Sequence, residues 1–218
     1  AQVVYDYYDG DNVFPGYFTG MMNGANKADS ADFIEDDILN PRGWALLSFL
    51  MDSRTGLGRF KEFRISNYQL MMDLIDYCAK HNIDEILELP DIKERVDLYN
   101  KYENDFKEQL KRCTTVVGNL LIIDYRNEEI IYPGNRFMVY AMHPEQNISI
   151  HVVWGKDKQN IVFSTGKSII NRSSKTNVGE LMLKYKGGGH QAAGGCQIDT
   201  DECEKVLKEL ITKINQDG

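Results

Sequence analysis

Lys186-Gly187-Gly188-Gly189-His190-Gln191-Ala192-Ala193-Gly194-Gly195 is the stretch on which the reading of this chain turns. Three consecutive glycines free the backbone to adopt positive φ and to approach a ligand closely. Backbone N–H groups exposed in such a run can form a nest for an anion. His190 stands at its edge, where a ring N–H can donate to a phosphate oxygen. The small residues Ala192 to Gly195 keep the far wall thin. A helix C-cap after Tyr185 followed by a turn would use the same glycines, so the run alone leaves both readings open.

Working outward, Asn177 can cap a helix running to Tyr185, and Glu180 three residues later completes a capping box. Before it lies Ser168-Ile169-Ile170-Asn171-Arg172-Ser173-Ser174. Arg172 offers a planar fork suited to phosphate or carboxylate, and Ser173 and Ser174 add hydroxyl donors. A solvated loop is the plainer reading of a single Arg, but this loop and the glycine run flank the same short helix. Ser164-Thr165-Gly166-Lys167-Ser168 ends like a phosphate-binding P-loop. That motif needs a glycine five residues before Gly166, where Ile161 stands, so triphosphate binding by this route is excluded. The segments Thr114 to Asp124, Ile148 to Trp154, Asn160 to Ser164 and Cys196 to Ile198 read as strands. Arg136 to Met142 reads as a short helix, and Thr200 as the cap of a last helix from Glu202 to Ile214. The tail is therefore expected to be α+β.

The first half has a helical period. Val3, Val4, Tyr7 and Tyr8 sit at helical spacing, and Pro15-Gly16 breaks the chain. Helices are expected over Met21 to Ala28, Trp44 to Met51 and Asn67 to Ala79. The last places Leu70, Met71, Leu74, Ile75 and Cys78 on one side. Asp52 to Arg64 is a Gly/Arg-rich loop. Ile92 to Arg112 is expected to form one long connecting helix. The expected division is 1–87, 88–112 as connector, and 113–218.

The 218 residues are 42% hydrophobic and 27% charged, ample for a packed core, with a formal net charge of −8. That balance argues against nonspecific duplex binding, which needs a basic surface to displace counterions. No apolar run reaches the roughly 18 residues that span a bilayer. Cys78, Cys113, Cys196 and Cys203 are scattered and read as reduced thiols, which points to the cytoplasm.

The order Asn171-Arg172-Ser173-Ser174, Asn177-Val178-Gly179-Glu180, Gly187-Gly188-Gly189-His190-Gln191-Ala192-Ala193-Gly194 resembles the DHH-associated substrate-binding domain. That domain occurs in RecJ-type exonucleases, oligoribonuclease/phosphatase enzymes, exopolyphosphatase-related proteins and alanyl-tRNA synthetases. The resemblance implies an α/β protein: the helical remainder of a DHH domain, a linker, and a mixed-sheet tail domain with flanking helices. It implies that Gly187, Gly188, Gly189, His190 and Arg172, with Ser173, hold a substrate phosphate. Many members carry one more glycine before the triplet; here Lys186 stands there, either adding a phosphate contact or simply exposed.

The same resemblance implies two divalent metals, usually manganese, in a preceding domain, where they would activate a water and neutralise the scissile phosphate. No Asp-His-His string occurs here, and the only histidines are His81, His143, His151 and His190. Ala1 to Tyr8 resembles the helix that follows that string, so earlier residues are expected to be missing. One metal-binding Asp is expected at Asp29, in Asn26-Lys27-Ala28-Asp29-Ser30, with Asp52 in Met51-Asp52-Ser53-Arg54-Thr55-Gly56-Leu57-Gly58-Arg59-Phe60 as the alternative. Either could equally be a helix cap or a loop acid. Arg54, Arg59, Lys61 and Arg64 form a basic cluster that could line a cleft, and Arg59 is carried forward as a substrate-binding residue.

The expected function is hydrolysis of phosphate esters in a small phosphorylated substrate: a short oligonucleotide, an adenosine bisphosphate, a cyclic dinucleotide or polyphosphate. This chain would mainly bind substrate and be inactive as a fragment. The alternative is a non-catalytic nucleotide-binding or nucleic-acid-binding module. A tRNA-editing accessory fits the acidic charge poorly, and a zinc site lacks ligands at usable spacing. A small phosphorylated partner and no membrane are expected, with pairing into a homodimer left open.

Overall fold

The computed structural model describes all residues except 15, 17 and 61. The chain break expected at Pro15 and the cation Lys61 lie outside the described residues. The chain forms two compact units: residues 1–106 with 132–138, and residues 107–131 with 139–218.

The first unit is helical. Its helices are α1 (Gln2–Tyr7), α2 (Gly10–Val13), α3 (Phe18–Ser30), α4 (Glu35–Leu39), α5 (Gly43–Met51), α6 (Asn67–Lys80), α7 (Ile83–Glu88) and α8 (Pro90–Lys101). The apolar run at α5 forms a buried helix, as its composition demands, with Leu46, Leu47, Phe49 and Leu50 inside. Ser66 caps α6 and Asn82 caps α7, each side chain accepting from the N–H three residues on. The expected loop from Asp52 to Arg64 is partly ordered into two 3-10 turns, Ser53–Thr55 and Leu57–Arg59. Leu57, Leu70, Ile86, Ile92 and Tyr99 complete this core.

Two expectations fail here. In α6, Leu70 is buried and Leu74 and Cys78 are half-buried, but Met71 and Ile75 are 55% and 66% exposed. Apolar residues occupy two faces of this helix, so periodicity could not say which one meets the core. The single helix expected from Ile92 to Arg112 is α8 followed by α9 (Glu103–Cys113). The break is at Tyr102, whose φ of −98° and ψ of 4° leave helical geometry.

The second unit is a six-stranded mixed sheet built from β1 (Thr114–Val117), β2 (Leu120–Asp124), β3 (Ile148–Trp154), β4 (Ile161–Lys167), β5 (Gly188–His190) and β6 (Ala193–Ile198). Their spatial order is β1-β2-β3-β4-β6-β5. β2 and β3 are parallel, and every other neighbouring pair is antiparallel. The strand expected over Thr114 to Asp124 is thus a hairpin, turning at Gly118 with φ +61°. Register places Ile122 beside Ile150, Val152 beside Phe163 and Phe163 beside Cys196. These residues share one face of the sheet. They pack with helices α11 (Val178–Leu183) and α12 (Cys203–Asp217) into the core of this unit. α10 (Met138–Met142) takes its first residue from the first unit and the rest from the second. The last helix starts after Glu202, with no side-chain cap, so Thr200 does not fill the expected role.

Candidate functional site

The glycine run begins where α11 ends. Asn177 caps this helix, its Oδ1 accepting from the Glu180 N–H at 3.3 Å. Val178, Gly179, Leu181 and Met182 are buried. The helix stops earlier than Tyr185. The Gly187 N–H reaches back to the Met182 carbonyl at 3.0 Å, across Lys186 at φ +58°. A six-to-one bond closed over a left-handed residue is a Schellman ending, in which glycine usually holds the left-handed position. Lys186 holds it here, and its side chain is exposed.

The run then forms a strand rather than a loop. Gly188 to His190 pair antiparallel with Ala193 to Gly195, and β5 is the outer strand of the sheet. An edge strand presents backbone N–H groups with no strand partner, and here glycine leaves them unshielded. Gly189 lies at φ +154°, and a Cβ there would sit 2.3 Å from the Ala193 carbonyl oxygen. Gly179 is required for a different reason. A Cβ on it would sit 2.9 Å from the Gly189 carbonyl oxygen, so only glycine lets α11 lie against the hairpin. Gly188, by contrast, faces open space.

His190 is exposed at the end of β5, and its Nδ1 accepts from the Ala192 N–H at 3.2 Å. A neutral imidazole that accepts through Nδ1 carries its proton on Nε2. The turn therefore selects the tautomer and aims a donor outward.

The Arg172 loop is braced by its own side chains. Ser168 Oγ accepts from the Ile170 and Asn171 N–H groups. Asn171 donates to the Glu145 carbonyl and accepts from the Ser173 N–H. Asn147 Nδ2 donates to Ser173 Oγ at 3.0 Å, which leaves the Ser173 hydroxyl hydrogen as a donor. Arg172 is exposed, and its Nε donates to the Ile169 carbonyl at 3.1 Å.

Lys167, absent from the residues singled out by motif, joins this loop to the hairpin. Its N–H donates to the Ala192 carbonyl at 2.8 Å, and its ammonium donates to the Ser174 carbonyl at 3.0 Å. Val178 adds a bond from its N–H to the Gln191 carbonyl. Both candidate phosphate-binding segments are thus tied to the end of β4. Tyr140 anchors that end from below. Its hydroxyl donates to the Gly166 carbonyl at 2.7 Å and lies 2.7 Å from Ser149 Oγ. The signal in sequence was slight: a lysine closing an apolar strand, read only as part of a false P-loop.

The candidates in the first unit stand differently. Asp29 lies near the end of α3 and is 69% exposed. Asp52 ends α5 and is far less open. Its carboxylate accepts from the Arg54 N–H, from Arg54 Nε and Nη2, and from Arg136 Nε at 3.0 Å. Burial pushes its pKa up, but the Arg54 bonds and the Arg136 charge outweigh this and hold it below the usual carboxylate range. Arg59 is exposed on the second 3-10 turn, its guanidinium lying over Gly56. Arg64 lies 3.7 Å from Asp91, and its N–H donates to Glu94. Arg54 and Arg64 therefore meet carboxylates of their own unit. Among the described residues, no three His, Cys, Asp or Glu side chains converge into a group able to hold a metal. The described residues do not by themselves fit a two-metal centre.

A helical unit followed by a mixed sheet with a glycine edge hairpin is the arrangement expected of a DHH remnant with its DHH-associated tail domain. Residues 136–216 match the DHHA1 domain. The chain is similar to the solved structure of the pGpG-specific phosphodiesterase PggH from Vibrio cholerae. Identity is 58% and the TM-score 0.89, over 100% of this chain and 73% of that one. It is also similar to an exopolyphosphatase-related protein from Bacteroides fragilis, at 17% identity and a TM-score of 0.45, over 68% of this chain and 43% of that one. Among curated proteins, none matches. The chain belongs to the DHH family, and its carboxyl-terminal part is a DHHA1 domain.

Proposed function

We propose that this chain belongs to a phosphodiesterase of short linear dinucleotides, pGpG first among them, and supplies the substrate-binding part of the site. The likeness to the Vibrio enzyme, 58% over the whole chain, carries this reading. The geometry of the tail domain supports it. A terminal phosphate placed on the β5 edge would meet backbone N–H groups, the Nε2–H of His190, the fork of Arg172 and the Ser173 hydroxyl. All are donors, and hydrogen bonds in which a partner is charged are the strong ones. Lys167 and Tyr140 position these groups without touching the substrate.

Manganese dependence belongs to the same proposal, with Asp29 as this chain's ligand and Asp52 as the alternative. So does inactivity of the chain as a fragment. A two-metal centre would neutralise the scissile phosphate and supply an activated water.

The test is guanosine monophosphate release from pGpG by the full-length protein with manganese. Arg172→Ala and His190→Ala should each raise KM about tenfold or more, the worth of a hydrogen bond to a charged group. Absence of release from pGpG, with release from polyphosphate, would overturn the substrate assignment. Unchanged KM in both variants would overturn the placement of the phosphate.

A further inference from the structure

The first unit holds two aromatic groups of different build. Phe33, Phe49 and Phe137 are 7%, 3% and 4% exposed and meet at tilts of 43° to 60°. That is core packing, in which rings adopt tilted and edge contacts. Phe60, Tyr102 and Tyr132 are only half-buried and stand in a row. Their centroids are 5.5 and 5.3 Å apart, with planes inclined by 30° and 31°. The Lys101 ammonium lies 5.1 Å from the centre of the Tyr102 ring.

Three separate segments build the row. Phe60 follows the second 3-10 turn, Tyr102 occupies the break between α8 and α9, and Tyr132 opens the segment that returns to this unit. The loop beneath Phe60 is braced. The Thr55 hydroxyl donates to the Phe49 carbonyl at 2.5 Å, the Gly134 N–H donates to the Thr55 carbonyl at 3.0 Å, and Asp52 holds Arg54 and Arg136. The Tyr132 end runs into buried Pro133, Gly134 and Asn135, whereas Phe60 follows exposed Gly58 and Arg59. A braced, partly wet stack of ring faces with the Lys101 ammonium beside it offers what a base on a phosphate backbone needs.

We propose that the Phe60–Tyr102–Tyr132 row is a nucleobase-stacking platform, which takes a purine base against Phe60 and makes the substrate base-bearing rather than polyphosphate. This rests on the phosphodiesterase reading above. Every ring presents a π face regardless of base identity, so the platform recognises the presence of a base more than its kind.

The test is calorimetric binding to the full-length protein of pGpG and of the same sugar-phosphate dimer lacking its bases. Phe60→Leu and Tyr102→Leu should weaken pGpG about five- to a hundredfold, the range for loss of one stacked base. The abasic dimer should be unaffected. Phe60→Trp should restore pGpG affinity, and its added fluorescence, relative to the parent protein, should be quenched as pGpG saturates it. The proposal is overturned if both Leu variants leave pGpG binding unchanged or weaken the two ligands equally. It is also overturned if the added fluorescence of the Phe60→Trp variant ignores bound pGpG, a reading that stands even where a Leu variant misfolds. Parent protein that binds neither ligand would instead sink the phosphodiesterase reading.

Discussion

At the scale of the single residue, Lys186 and Asp52 show how a side chain can be placed by structure where motif suggests chemistry. Lys186 sits left-handed at the end of α11, where a side chain costs roughly 1–2 kcal/mol that glycine avoids. Its charge is exposed. Lys186→Gly should therefore stabilise the protein by about 1 kcal/mol, read as a higher urea midpoint at unchanged slope. Affinity for pGpG should hold; a fall of tenfold would instead make Lys186 a phosphate contact. Asp52 accepts from two guanidinium groups, whereas the Asp29 side chain is 69% exposed. Asp52→Asn should cost about 1–3 kcal/mol by leaving Arg136 and Arg54 without their anion. Asp29→Asn should change stability by less than about 0.5 kcal/mol, as exposed positions do. Activity of the full-length variants then separates the metal-ligand candidates. The ligand is the one whose amide abolishes turnover, and for Asp52 that loss must exceed what its stability deficit explains.

At the scale of elements, the glycine hairpin and α11 act as one object because Gly179 lets them touch. Gly179→Ala would push a methyl group toward the Gly189 carbonyl, a backbone atom that cannot rotate aside. The expected cost is about 1–3 kcal/mol, as for overpacking elsewhere. Because the displaced atom belongs to β5, KM for pGpG should rise as well. A stability loss with KM intact would show that the edge strand tolerates the shift. Much of this region was legible beforehand: the cap at Asn177 and the strands rich in Ile and Val. The strand character of Gly188 to His190 was not. Glycine has no side chain to alternate, so a strand made of it carries no period-two signal. The break at Tyr102 was hidden for the opposite reason. Val96, Tyr99, Tyr102, Phe106 and Leu110 continue an apolar helical period straight through it. The aromatic row was illegible because its members lie 42 and 30 residues apart in sequence, and only the fold brings them together.

At the scale of the whole molecule, acid tests the fold through carboxylates held by arginines. In the second unit, Glu128 accepts from Arg112 at 3.0 and 2.5 Å and from Gln109 at 2.6 Å. Those bonds, Arg112 first and Gln109 next, lower its pKa to about 2. Asp124 behaves alike. Burial raises its pKa, but side-chain and backbone bonds from Arg126 more than reverse this. Both carboxylates titrate lower in the folded chain than in the unfolded one. Protonation therefore favours unfolding: the Glu128 contribution is complete above its unfolded value near 4.5 and disappears as pH falls from there toward about 2, and that of Asp124 is lost in the same direction. The same Glu128 oxygen accepts from the Cys113 thiol, and burial together with that bond pushes the thiol pKa up to about 12. Cys113 thus stays protonated at neutral pH and should react slowly with alkylating agents. Thermal unfolding between pH 7 and pH 3 checks the acid branch. The parent protein should lose stability steeply below pH 4.5. Glu128→Gln should start roughly 1–2 kcal/mol lower at pH 7, since solvent at the Arg112 side weakens the pair, and should fall less steeply in acid. The two curves should draw together as pH falls from 4.5 toward 3, because the unfolded parent takes up a proton there that the folded Glu128 still refuses, whereas the amide titrates in neither state. Parallel curves would mean that Glu128 contributes through shape rather than charge.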